Sequence, residues 1–195
     1  MMQKINLKKG DILIIVDMQN DFMPDGALPV PKADEIIPVL NRYIGLFSRK
    51  SLKVVASRDW HPPDHCSFKE NGGPWPSHCV AGTEGANFPP QLHIPEDAII
   101  ISKATDPEKD AYSALQDTEL TRILKELAIK RCFVGGVALD YCVLHTVLDL
   151  LKEGYETYLL KDAIGAVDLN LGDGERAMKE MQRKGAKMIT LEMME

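Results

Sequence analysis

Six short apolar runs, rich in β-branched residues, alternate along this chain with stretches whose apolar positions recur at helical spacing. The first run, from Asp11 to Val16, is unbroken in hydrophobicity and predicts a central parallel strand buried on both faces. Ile36, Ile37, Leu40, Ile44 and Phe47 then mark a helix over 33–49, and 53–57 reads as a second strand. Regular spacing returns with a strand over 98–102, a helix over 117–127 and a strand over 131–137. A helix over 139–152, a strand over 155–161, a helix over 172–184 and a last strand over 187–191 follow. Strand and helix in alternation predict an α/β fold: a doubly wound, mostly parallel six-stranded sheet with helices on both faces. Residues 58–97 break the rhythm with a long stretch rich in Pro, Gly, His and Cys, and a loop that long inside a compact fold is usually functional.

Length and charge narrow the reading. At 195 residues, 45% hydrophobic and 27% charged, the chain suits one domain spanning 1–195 with a single core. The net charge of −6 is dispersed, with no basic stripe for phosphate, so nucleic acid is not expected as a partner. No segment is long and apolar enough to cross a membrane, and the first ten residues carry lysines but no apolar run, which predicts a cytoplasmic protein without a signal peptide. The four cysteines, Cys66, Cys79, Cys132 and Cys142, are too few for a disulfide scaffold and read as thiols.

In a doubly wound sheet, ligands bind beyond the carboxyl ends of the strands, so the residues there are the ones to examine. Asp17 follows the first run, Lys103 the third, and Cys142 opens the helix after the fourth. Taken singly, these read more readily as a loop cap, a solvated lysine and a core thiol; the fold brings all three to one edge. Unpaired amides and the positive end of the helix dipole at Cys142, with Lys103 beside it, are expected to lower the thiol pKa. The turn Gly135-Gly136-Val137-Ala138 lets the backbone come close, so the Ala138 and Cys142 amides could point at an oxyanion, with Asp17 shuttling the proton. His145, one turn beyond Cys142, offers a rival Cys–His pair but lies deeper in the helix and reads better as a packed residue.

Asp59 and His61 alternate at the end of the second run, and His78 returns from the long loop as a third ligand for one ion. Three protein ligands leave positions open for water or substrate. His65 is a neighbouring alternative ligand, and Cys79 and Cys66 read as bystanders.

Five segments together resemble the nicotinamidase/pyrazinamidase branch of the isochorismatase-like cysteine hydrolases, over nearly the whole chain and in the order of that family. They run from Val16 to Phe22, from Ser57 to Pro62, from Pro74 to Val80, from Lys103 to Thr105 with Asp110 to Ser113, and from Gly135 to Val143. The resemblance implies a catalytic triad of Asp17, Lys103 and Cys142 and a metal trio of Asp59, His61 and His78. It also implies a cis peptide at Val137-Ala138 and a pyridine ring walled by Phe22, Trp75, Tyr112 and Tyr141. The implied reaction is hydrolysis of nicotinamide, or pyrazinamide, through a cysteine thioester in NAD salvage. One divalent ion is implied, zinc first, with iron and manganese as alternatives. Isochorismatases proper lack the cysteine, so Cys142 argues against that branch. A related amidase for another small amide or carbamoyl compound, and a binding protein that keeps only the fold, remain as other readings. Monomer and homo-oligomer both stay open.

Overall fold

A computed structural model of the chain describes residues 4–195. Its strands are β1 (Asp11–Val16), β2 (Lys53–Asp59), β3 (Ile99–Lys103), β4 (Arg131–Gly136), β5 (Glu156–Ile164) and β6 (Lys187–Ile189). Its α-helices are α1 (Ile37–Arg49), α2 (Leu120–Glu126), α3 (Leu144–Lys152) and α4 (Asp173–Arg183). The sheet order is β3-β2-β1-β4-β5-β6, and every neighbouring pair is parallel. All six residues of β1 are buried, as its continuous hydrophobicity requires of a strand covered on both sides.

Alternation along β1 divides the core. Leu13 and Ile15 pack with Leu40, Tyr43, Ile44 and Phe47 of α1 on one face. Ile12, Ile14 and Val16 pack on the other against Leu120 and Leu124 of α2, Val147 and Leu150 of α3, and Ala177 and Met181 of α4. From β1 the chain winds outward through β2 to β3, then returns to lay β4 on the other side of β1. The direction of winding therefore reverses between β1 and β4, and the crevice beyond their carboxyl ends is where such a sheet binds ligands.

Several expected boundaries shift for local reasons. The stretch 139–152 is not one α-helix: Leu139–Val143 forms a π turn, and regular α-helix starts at Leu144. The helix expected from 117 starts at Leu120, because Asp117 has a left-handed φ of 54° and the Thr118 hydroxyl accepts the Leu120 amide instead. Gly172, at φ 86°, stands outside α4 as its cap. The last strand keeps only three residues, and the chain ends through a 3-10 turn at Leu191–Met193. Between β2 and β3 the long loop has little regular structure, with isolated bridges pairing His61 with Val80 and Phe68 with Trp75.

Candidate active site

Asp17, Lys103 and Cys142 meet at the switch point. Asp17 (φ 48°) and Ala104 (φ 51°), immediately after Lys103, both hold left-handed conformations, and at the ends of β1 and β3 these turn the chain sharply out of the sheet. At the end of β4, a side chain on Gly136 (φ 120°) would strike the Val16 carbonyl oxygen at 2.1 Å, so only glycine lets the strand turn here against β1. Lys103 is fully buried, with Nζ 3.0 Å from Asp17 Oδ2, 3.5 Å from Cys142 Sγ and 3.0 Å from the Ala111 carbonyl oxygen, to which it donates. It also donates to Asp59 Oδ1 through a short contact. Ser57 donates to Asp17 Oδ1 at 2.7 Å, which leaves Oδ2 for Lys103 and the thiol.

Charge in this cluster is set by burial against pairing. Burial disfavours the Lys103 ammonium, but the Asp17 and Asp59 carboxylates outweigh it and hold its pKa well above the usual range. Burial raises the Asp17 carboxyl, aided by Asp59 and opposed by Lys103, which makes Asp17 a group able to keep a proton. Burial works against ionised Asp59 as well, but Lys103 and His61 overcome it and lower its pKa. The expectation of a depressed Cys142 pKa is overturned: burial pushes the thiol well above its usual value, with Lys103 opposing and the nearby Asp17 and Asp59 carboxylates adding to the rise. Two buried carboxylates outnumber the one ammonium, so an added thiolate is disfavoured, and the π turn replaces the helix start that the dipole argument assumed.

Asp59, His61 and His78 are all buried, and one ligand atom from each lies within 4.8 Å of the others. The hydrogen bonds leave the right atoms free. His61 Nδ1 lies 3.3 Å from the Ala104 carbonyl oxygen, and its buried Nε2 has no hydrogen-bond partner among the described residues. His78 Nδ1 donates to the Pro76 carbonyl at 2.8 Å, directing Nε2 elsewhere. With Asp59 Oδ1 engaged by Lys103, Oδ2 lies 3.8 Å from His61 Nε2. Burial lowers the His61 pKa to about 4, so its imidazole is neutral, the form that ligates metal. The donor set and the orphaned nitrogen fit a divalent ion. His65 packs on His61 with ring centroids 4.2 Å apart, and Ser67 and the Lys109 carbonyl engage both its nitrogens.

A small cleft of about 40 Å³ joins the two groups. Cys142 and Ala138 line it on one side, Asp59 and His78 on another, and Phe22, Trp75, Tyr112 and Tyr141 all contribute walls. Trp75 Nε1 donates to the Tyr112 hydroxyl at 3.0 Å, fixing two of those rings. The Val137-Ala138 peptide is cis, and the Ala138 amide donates to no protein acceptor among the described residues. His145 is exposed and stacks on Tyr112, which leaves no Cys–His pair. Cys132 and Cys79 are buried thiols and Cys66 is half-buried.

Sequence reasoning missed several residues that hold or complete the site. Gln19 accepts the Asp59 amide at 2.8 Å and donates to the Asp59 and Ala86 carbonyls. Asp21 accepts the Cys79 amide at 2.6 Å, tying the long loop to the turn after β1. Leu28, Val30 and Val167 add aliphatic walls to the cleft. Gln19, Asp21 and Ser57 lie inside the segments quoted for the resemblance, which was their available signal; Val167 had none.

An open parallel sheet with a buried Asp–Lys–Cys cluster at its switch point defines an α/β protein of isochorismatase-like architecture. The chain belongs to the isochorismatase domain family, whose model matches residues 11–193. It is 38% identical to the nicotinamidase of Escherichia coli, over 92% of this chain and 94% of that protein. Among solved structures, the zinc complex of Pyrococcus horikoshii pyrazinamidase is 52% identical with a TM-score of 0.90, covering 93% of this chain and 99% of that one. PnC1 from L. infantum, in complex with nicotinate, is 33% identical with a TM-score of 0.91 over 98% of each chain.

Proposed function

We propose that this chain is an amide hydrolase that converts nicotinamide to nicotinate and ammonia, and pyrazinamide by the same chemistry, in the service of NAD salvage. One observation carries the reading: the buried Cys142 thiol, with Lys103 and Asp17 packed behind it, lines one aromatic cleft together with Asp59 and His78, two of the three grouped metal-ligand candidates. The nicotinamidase and pyrazinamidase relatives support it across almost the full length of the chain. When bound by Asp59, His61 and His78, a divalent ion supplies a Lewis-acid anchor for the substrate ring nitrogen. We assign zinc first, which a carboxylate and two imidazoles suit, with iron and manganese compatible with the same donors.

Asp17 takes the thiol proton as Cys142 Sγ attacks the carboxamide carbon. The Ala138 and Cys142 amides hold the resulting oxyanion, and Lys103 offsets the charge on Asp17 throughout. Asp17 then gives its proton to the departing nitrogen, the C–N bond breaks, and ammonia leaves a thioester on Cys142. A water molecule, losing a proton to Asp17, cleaves the thioester, and that proton returns to the thiol as nicotinate departs. Phe22, Trp75, Tyr112 and Tyr141 sandwich the ring. Residues 1–195 act as one unit in this account, supported by the continuous sheet. Among the described residues no helix is long and apolar enough to cross a membrane, and the free thiols suit the cytoplasm as its setting.

Ammonia release from nicotinamide by purified protein, with and without chelator and beside Cys142→Ala, tests the proposal. Activity lost in both the chelated and the mutant sample is expected. Full ammonia release from nicotinamide after metal removal would overturn the anchoring role given to the ion, and intact metal-loaded protein that releases none would favour another small amide or carbamoyl compound as substrate.

A further inference from the structure

The turn that carries Cys142 also grips a separate segment of chain. Asp140, two residues before Cys142, accepts the amides of Val167 at 3.0 Å and Asp168 at 2.8 Å, one on each carboxylate oxygen. The Leu139 amide donates to the Gly165 carbonyl at 2.7 Å, pinning the same segment a second time. Asp168, at φ 52°, passes the hold onward: its Oδ1 accepts the Gly174 amide at 2.8 Å, in the first turn of α4. Beyond this grip Leu169 and Leu171 are exposed. Val167 itself lines the cleft with Ala138, Tyr141 and Cys142. The cleft is narrow, so a shift of one wall by a methyl group changes what fits.

We propose that Asp140 is a positioning residue whose carboxylate sets the distance between the Val167 wall and Cys142, making Val167 a determinant of how bulky a ring the cleft accepts. This rests on the reading of Cys142 as the nucleophile of the cleft. The short turn acts as a ruler: nucleophile and wall are referenced to one residue, so loosening Asp140 moves the wall without removing any group that contacts the reacting atoms. Asn at this position keeps one acceptor but turns an amide N–H toward a backbone N–H, and Ala keeps neither bond.

The test uses full-length Asp140→Ala, Asp140→Asn and Val167→Ala. With nicotinamide and ring-methylated nicotinamide, the relative kcat/KM for the methylated ring is expected to rise about tenfold in Asp140→Ala and Val167→Ala, the equivalent of one lost hydrogen bond or wall contact, and less in Asp140→Asn. For nicotinamide itself, KM is expected to rise more than kcat falls. Alkylation of Cys142 by iodoacetamide and by its bulkier N-phenyl analogue, followed on the Cys142 peptide, gives the same discrimination without turnover. If the wild type releases no ammonia, the functional reading fails, while the alkylation ratio still decides on the ruler. An unchanged ratio in both Asp140→Ala and Val167→Ala, or a kcat loss with KM and selectivity intact, would overturn the proposal.

Discussion

Asp17, Lys103 and Cys142 stand at the ends of β1 and β3 and in the turn after β4, where the ladder of a parallel sheet sets their spacing. His61 and His78 belong instead to the long loop between β2 and β3, which isolated backbone bridges and side-chain hydrogen bonds hold in place of a continuous ladder. Asp21 fastens the loop at Cys79, Gln19 fastens the Asp59 backbone, and His65 fills the space behind His61 with both nitrogens bonded. A sheet-end site needs only a residue of the right kind at each strand terminus. A loop-borne site needs a second set of polar residues, and the buried ones, Gln19 and His65, would cost free energy if left unpaired. Asp59 belongs to both: it closes β2 and pairs with Lys103 while offering its other oxygen to the metal trio.

Four perturbations should separate the two halves. Lys103→Met leaves Asp17 and Asp59 buried without their shared cation, and should lower stability by about 3–5 kcal/mol in a urea titration as well as abolish activity. His78→Ala should weaken metal binding by about 100-fold or more and lose ammonia release to match, while the rate of Cys142 alkylation in metal-stripped protein stays within about threefold of wild type. Asp21→Ala removes the acceptor for the Cys79 amide, and should destabilise by about 1–3 kcal/mol with faster proteolysis confined to the long loop. The smallest effect concerns protons. A thiol raised by burial has little thiolate at neutral pH, so alkylation of Cys142 in metal-stripped protein should be slow at pH 7 and still climbing above pH 9. A rate already level by pH 7 would restore the depressed thiol that the chain position suggests.

The sequence was most readable where local pattern and global fold agree. The buried run at Asp11–Val16 fixed the central strand, and the positions after it and its neighbours held Asp17, Asp59 and Lys103. The clustering of Asp59, His61 and His78 was readable as a D-x-H pair with a distant histidine, because ligand chemistry restricts residue type. What pattern could not supply was depth. Cys142 looks like a helix-start thiol, yet it sits in a π turn, and burial among two carboxylates reverses the expected direction of its pKa. The surroundings of His65 depended on which hydrogen bonds claim its nitrogens, and Val167 reaches the cleft from a segment that the turn around Asp140 contacts across the fold.

Covalent capture tests the central claim most directly: rapid quenching of the metal-loaded protein during nicotinamide turnover, followed by mass analysis of the Cys142 peptide. The account predicts a nicotinoyl thioester on Cys142 that forms and decays with ammonia release, absent from Cys142→Ala along with activity. Ammonia release that continues in Cys142→Ala, with no acyl group at Cys142 in the wild type, would contradict it.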